Sequence, residues 1–435
     1  MGLSKEQPNS ETYIPEVFEP CCGLYPGISS FTGEYDASDY REWVLRSNGD
    51  PVPAPLMLAV EDSVRADGVS ADDASAQQLP WHTTITREIL LQGALFDKDR
   101  PLEGMVCAPS VTTGWSNDAL YELSRCIQDA FSMAPAAFAR WCACFGRTRP
   151  ASTRLQLLRV LGFSKVRLGV DLVAAAQEEG GQAAEFERAE RLVEEARSFG
   201  YRSIAIDLGL PGMFSASLAD RLEAFMDKTR AETVRLFINS GQAGDPDSRL
   251  AAFRSAFLDE LGYRHLGLDW YVTAANPSLG RKTLLYWSPL GYTDIEGLDI
   301  IGVGPGSVSV LEDACSQNAV QRAYYQQLVD QGEIPTERGI ELESDDVLRR
   351  SVMSGLLVNE RFNVEALEDR WGIMFSRYFE TEVAALKKLE LQGRLTFNER
   401  EIHTLDRGRE TLATLCRIFD NEARIARVPP LREVR

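Results

Sequence analysis

Between about Pro55 and Val272, short apolar, β-branched runs alternate with longer runs whose apolar residues recur at helical spacing. The strand-like runs contain LMLAV (56–60), GMVCAPS (104–110), FARWCACF (138–145), KVRLGVD (165–171), SIAIDLG (203–209), TVRLFIN (233–239) and HLGLDWYV (265–272). Between them, AAEFERAERLVEEARS (183–198) has apolar positions at helical spacing with charges between, which predicts a helix covering the outside of a barrel. Repeated strand–helix alternation predicts an α/β fold with a parallel sheet, a partial (β/α)6 TIM-like barrel.

A weak internal repeat fits this reading. LGFSKVRLGVD, FGYRSIAID and LGYRHLGLD each carry a glycine (Gly162, Gly200, Gly262) where a helix would end in a left-handed cap. An aromatic residue and a strand follow, closing on Asp171, Asp207 or Asp269. Parallel strands point their carboxyl ends at the mouth of a barrel, so the three aspartates are expected to rim one cavity. The alternative is that each caps the next helix.

After Gly306 the chain turns helix-rich and charged. SDDVLRRSVMSGLLVNERF (344–362) opens on a Ser cap with an acidic first turn. VEALEDRWG, FSRYFETEVAALKKLELQGRL, the strand–turn TFNEREIHTL and a last helix RGRETLATLCRIFDNEAR follow. Helices followed by a small β wing predict a winged-helix-like lid. The expected division is an N-terminal extension (1–54), a barrel (55–310) and a C-terminal helical domain (311–435).

The 435 residues, 44% hydrophobic, suffice for one large core and a smaller one. A formal charge of -19 argues against a nucleic-acid groove, which needs clustered Lys and Arg. No apolar run is long enough for a membrane span, and the polar start MGLSKEQPNSETY lacks the apolar core of a signal peptide. A cytoplasmic location is expected, and eight irregularly spaced cysteines suit a reducing compartment.

Cys142 and Cys144 in WCACF would share one face of a strand, and adjacent Cys21 and Cys22 are the other close pair. Neither has the usual zinc spacing, so no metal site is expected. Glu61, Asp62, Asp67, Asp72 and Asp73 form an acidic run without a calcium-loop pattern, read as a solvated loop. Of the three histidines, His265 begins a strand and is expected at the barrel floor, and His403 lies in the wing. His82 is placed near the mouth, with an ordinary loop role as its alternative. The glycines of IGVGPGSVS (Gly302, Gly304, Gly306) form only a weak phosphate-cradle pattern without a following Lys-Ser/Thr.

GYTDIEGLDIIGVGPGSVSVLEDACSQN (291–318), AYYQQ (323–327), Arg338-Gly339-Ile340 and Asp346-Val347-Leu348-Arg349-Arg350, with Asn359, Gly393 and Thr404-x-x-x-Gly408-Arg409, resemble the oxygen-independent coproporphyrinogen III oxidase (HemN) family of radical S-adenosylmethionine (SAM) enzymes. EPCCGLYPGISSFTGEYDASDY (19–40) is similar to that family's leader. The resemblance implies a CxxxCxxC motif holding a [4Fe–4S] cluster after the first strand, but Ser63, Asp67 and Ser70 stand at those positions. Hydroxyls and carboxylates do not replace thiolates on an iron–sulfide core. The family's GGGTP appears as Cys107-Ala108-Pro109-Ser110-Val111, and its SAM-contacting Arg has no counterpart in LVAAAQEEGGQAAE (172–185).

Neither cluster nor SAM is therefore expected. The favoured reading is a tetrapyrrole (haem or porphyrin) carrier, sensor or accessory factor. His82 or Cys107 would be axial to haem; Gly302, Gly304 and Gly306 would line the cavity; Arg349 and Arg350 would meet propionates or, alternatively, pair with Asp345 and Asp346. The rivals are cluster-independent catalysis, with Cys107, Asp171 and Asp207 as weak candidates, and a regulatory pseudoenzyme with a protein partner.

Overall fold

The structure is a computed structural model that describes residues 24–62, 81–147, 150–177, 180–211, 215–238, 258–273, 276 and 285–421. Six strands follow the predicted order: β1 (Leu56–Val60), β2 (Leu102–Cys107), β3 (Trp141–Phe145), β4 (Lys165–Asp171), β5 (Ser203–Leu210) and β6 (Thr233–Ile238). They lie side by side and parallel in a twelve-stranded sheet.

Two faces of this sheet have different chemistry. Leu58, Val60, Met105, Cys107, Ala143, Leu168 and Ile206 share one face and pack under the helices in the largest core cluster. The register puts Met57, Val106, Cys142, Lys165 and Ser203 on the other face, which curves into a partial barrel because all five line one cavity. Gly162, Gly200 and Gly262 have φ of +109°, +78° and +79°, so the left-handed caps expected from the repeat are present.

The third repeat unit departs from expectation. Instead of one strand over 265–272, the chain forms β7 (Tyr263–Gly267) and β8 (Trp270–Thr273), an antiparallel hairpin in which β8 pairs β6. Gly267 at φ +145° and Leu268 at φ +54° make the reversal. Asp269 thus sits in a hairpin turn and not at the carboxyl end of a parallel strand.

A short hairpin, β9 (Tyr286–Ser288) and β10 (Gly291–Thr293), precedes β11 (Asp299–Val303), which lies parallel to β1 on its free side. β12 (Val308–Leu311), β13 (Ala314–Asn318) and β14 (Thr336–Glu341) continue the sheet antiparallel, so it runs across residue 310. The helices Ser344–Val358, Val364–Trp371, Glu380–Leu391 and Arg409–Phe419 then build a second core with β15 (Arg361–Asn363), β16 (Leu395–Phe397) and β17 (Glu401–Thr404) as a three-stranded wing. Leu266, Leu268, Trp270 and Val272 of the edge hairpin belong to that second core, which fixes the helical domain against the barrel.

Candidate functional site in the barrel interior

The inward positions of β3 to β6 carry most of the chemistry. In parallel strands buried on both faces, apolar residues are expected throughout. Here Lys165, Arg167 and Asp171 alternate with Val166, Leu168 and Val170, and Asp207 lies opposite Arg235 in the β5–β6 register. Arg235 Nη2 donates to Asp207 Oδ2 at 3.1 Å, and Arg167 Nε stands 3.9 Å from the same oxygen. Both guanidiniums lie over Trp270, at 5.0 and 5.6 Å from its ring centre. Arg235 and Asp207 are almost wholly buried, at 1% and 2% exposure. A chain of net charge -19 thus lines its barrel cavity with Arg140, Lys165 and Arg167 against Asp294, with the buried Arg235–Asp207 pair beneath.

The sequence candidates are dispersed. Asp171 caps the helix Leu172–Ala175, accepting from Val173 and Ala174 backbone N–H, so its capping alternative holds. Asp269 pairs with Arg409 of the helical domain. The three aspartates therefore do not rim one cavity. Cys107 faces the outer helical layer, opposite Val60 and Ala143 in register, and burial pushes its thiol far above the ordinary value. It is neither an axial ligand nor a nucleophile in the barrel.

His82 lies in the first turn of helix Trp81–Gly93, its ring 5.9 Å from Trp115 and its Nε2 3.6 Å from Glu122 of the neighbouring helix. Arg349 is buried and spans Asp345, Glu382 and the Phe419 carbonyl, tying three helices together. Arg350 bonds Asp313 and the Glu312 carbonyl, anchoring the helical domain to the β12–β13 turn. Only the Arg349–Asp345 half of the alternative pairing is formed. His265 stacks on Tyr271 within the edge hairpin, at 4.7 Å between ring centres, and His403 contacts Glu360 in the wing.

Two of the three glycines meet the protein's own backbone closely. A Cβ on Gly304 would lie 1.8 Å from the Glu61 carbonyl oxygen, and one on Gly302 would lie 2.2 Å from that of Val308. Gly304 and Gly306 also have φ of +112° and +72°. Gly302 and Gly304 allow β11 to pass close to β12 and to the end of β1.

Gly304 leads to a group that the sequence did not single out. Its N–H donates to fully buried Glu88 at 2.8 Å, and Glu88 also accepts from Asn318 Nδ2 at 2.7 Å and Tyr325 O–H at 2.5 Å. Burial, opposed by these donors, pushes the Glu88 carboxyl up to about 7. A folded value above the unfolded one means that stability is fully present below about 4.5 and falls as pH rises towards 7 and beyond. From pH 5 to pH 8 the parent should lose on the order of 3 kcal/mol in denaturant unfolding relative to Glu88→Gln. Parallel pH curves for the two proteins would refute this.

At the mouth, Asp62 is not a solvated loop acid. It accepts from Trp115 Nε1 at 2.9 Å and Arg322 Nη2 at 2.7 Å, and its N–H donates to Ser110 Oγ. Arg322 also lies 4.5 Å over the Trp81 ring, so both flanks of the segment 63–80 are held together. Ser63, Asp67, Ser70, Asp72, Asp73, Cys21 and Cys22 lie outside the described residues. The family's glycine stretch is here the start of a helix, Pro109–Gly114, with Ala108 buried and Ser110 engaged by Asp62.

Residues 342–410 match the HemN C-terminal domain family. The oxygen-independent coproporphyrinogen III oxidase of Pseudomonas aeruginosa is 30% identical over 305 residues, covering 62% of this chain and 65% of that protein. The enzyme of the same name from Escherichia coli is 29% identical over 294 residues, covering 62% and 64%. That of Synechocystis is 24% identical over 429 residues, covering 91% of each. The first relatives are spanned over just under two thirds of their length, 63%. The solved structure of Escherichia coli coproporphyrinogen III oxidase (HemN) superposes with a TM-score of 0.78 at 22% identity, over 92% of this chain and 97% of that one, which shows the shared fold.

Proposed function

The chain is a HemN-like member of the radical SAM family, and from that premise we propose that it binds a carboxylate-bearing tetrapyrrole without performing radical SAM chemistry. The observation that carries the reading is the basic barrel interior. Arg167 and Arg235 over Trp270 offer fixed cations and an aromatic face inside an acidic protein. Propionates are met by such guanidiniums, and apolar walls stack the macrocycle. Relatives named as coproporphyrinogen III oxidases supply the ligand class.

Among the described residues, no set of cysteines supports a [4Fe–4S] cluster. Cys107 faces away from the interior, and Cys142 sits near the start of β3, at the far end of the strands from the loop that follows β1. Cys126, Cys315 and Cys416 are packed in apolar cores. At the positions that the family uses, the side chains are Ser63, Asp67 and Ser70. They fit SAM no better, since Pro109 and Ser110 begin a helix where backbone glycines would be needed.

The role follows as a carrier, sensor or accessory factor, and a cytoplasmic location is part of the same proposal. Among the described residues no helix is long and apolar enough to cross a membrane. Asp171, Asp207 and Cys107 are not brought together, which leaves cluster-independent catalysis by them without support.

Titration with coproporphyrin III and with haem should give saturable shifts of the Soret band at about micromolar affinity, roughly -8 kcal/mol. The tetramethyl ester of the same porphyrin should bind at least tenfold more weakly, since it lacks the charges that the arginines meet. Equal binding of acid and ester, or no saturable change with either acid, would overturn the reading.

A further inference from the structure

A cavity of about 180 Å³ lies at the amino-terminal end of β3 to β6, bordered by β9, β10 and the segment to Leu298. Cys142, Lys165, Arg167, Ser203 and Thr233 supply its polar wall. The register sets Cys142 beside Lys165 and Cys144 beside Arg167 on adjacent strands. Cys142 is partly exposed to this space, while Cys144, one layer further in on the same strand face, is buried.

Charge makes the place unusual. Arg140 is paired with Glu103 and Asp294, and Arg235 with Asp207, but Lys165 has no hydrogen-bond or ion-pair partner among the described residues. The register sets it beside Cys142 on the neighbouring strand, and both line the cavity. The neighbouring Cys144 thiol holds the Cys142 thiol below its ordinary value against the cost of burial, and the Arg167 and Lys165 charges act in the same direction. Asp207 acts the other way.

We propose that this cavity is a second ligand site, taking a small anionic electrophile whose carboxylate or phosphate meets Lys165 and Arg167 while the Cys142 thiolate attacks its reactive centre. The sulfur lone pair forms the new bond and the leaving group departs with the electron pair of the bond that breaks, so no external oxidant or reductant is needed. Cys144 keeps its proton and stabilises the thiolate as a positioning residue. The site shares Arg167 and Trp270 with the tetrapyrrole reading, but Cys142 and Lys165 belong to it alone. A volume of about 180 Å³ admits only a small molecule, and it lies at the opposite end of the strands from the mouth.

Iodoacetate and iodoacetamide separate charge recognition from plain thiol reactivity. In each case the sulfur displaces iodide from carbon, and the label on the tryptic peptide WCACFGR (141–147) is read by fragment mass spectrometry, which distinguishes Cys142 from Cys144. We expect iodoacetate to label Cys142 with saturation kinetics, about tenfold faster than iodoacetamide, with inorganic phosphate protecting. The pH–rate midpoint should fall below the ~8.5 of a free thiol. Lys165→Met should abolish the preference for the acid and raise the midpoint, and Lys165→Arg should retain both. Labelling of Cys142 without preference for the acid, or no labelling until the protein is denatured, would overturn the proposal, whatever the porphyrin titrations show.

Discussion

Anaerobic reconstitution with iron, sulfide and a reductant will leave this protein without cluster iron and without the brown charge-transfer absorbance of a [4Fe–4S] centre. A cluster of this kind is held by thiolates, and Ser63, Asp67 and Ser70 offer two hydroxyls and a carboxylate at the required spacing. Soft sulfide-bridged iron does not exchange thiolate for hard oxygen donors without large loss of affinity. SAM should accordingly show no tight binding by calorimetry and yield no 5′-deoxyadenosine under reducing conditions. The sharper test is gain of function. The triple change Ser63→Cys, Asp67→Cys, Ser70→Cys rebuilds CxxxCxxC and should bring iron and sulfide into the protein, because Asp62 and Trp81 already fix the two ends of that segment. Stoichiometric cluster iron in the parent would end the present reading, and an iron-free triple variant would show that the segment no longer folds around a cluster.

The parts of the fold that were legible in the sequence are those set by local alternation. Six parallel strands and their helices announced themselves through apolar runs at strand length separated by helical periodicity, and the positive-φ glycines before β4, β5 and β7 were readable from the repeat. The edge hairpin was not, because HLGLDWYV has no polar break and its turn is made by Gly267 and a left-handed Leu268, a conformation that a leucine does not advertise. Site residues failed for a different reason. Cys107 was given the wrong face because the phase of a short buried strand cannot be fixed when both of its faces are apolar. The signal that was present lies in β4 and β6, where Lys165, Arg167 and Arg235 interrupt otherwise apolar strands at inward positions. A strand buried on both faces tolerates such residues only where they are paired or face a cavity. Glu88 gave no signal at all: its partners Gly304, Asn318 and Tyr325 lie more than two hundred residues away.

Replacing Arg235 by Met should destabilise the protein by about 3–5 kcal/mol, the usual cost of leaving the other half of a buried ion pair uncompensated. Asp207, at 2% exposure, would then face the low-dielectric interior with Arg167 at 3.9 Å. The double change Asp207→Leu with Arg235→Met removes both charges together, preserves the net charge, and should recover most of that loss, since apolar replacement of a whole buried pair is often neutral. Ligand binding should not recover with it. If Arg235 meets a tetrapyrrole carboxylate, the double variant lacks one charge-assisted hydrogen bond and should bind coproporphyrin III about 10- to 100-fold more weakly while melting close to the parent. Arg167 stays in place as a second cation over Trp270, so residual binding that still favours the free acid over its ester is expected. Recovery of both stability and affinity in the double variant would reduce the Asp207–Arg235 pair to a structural strut and move the carboxylate contact elsewhere in the barrel.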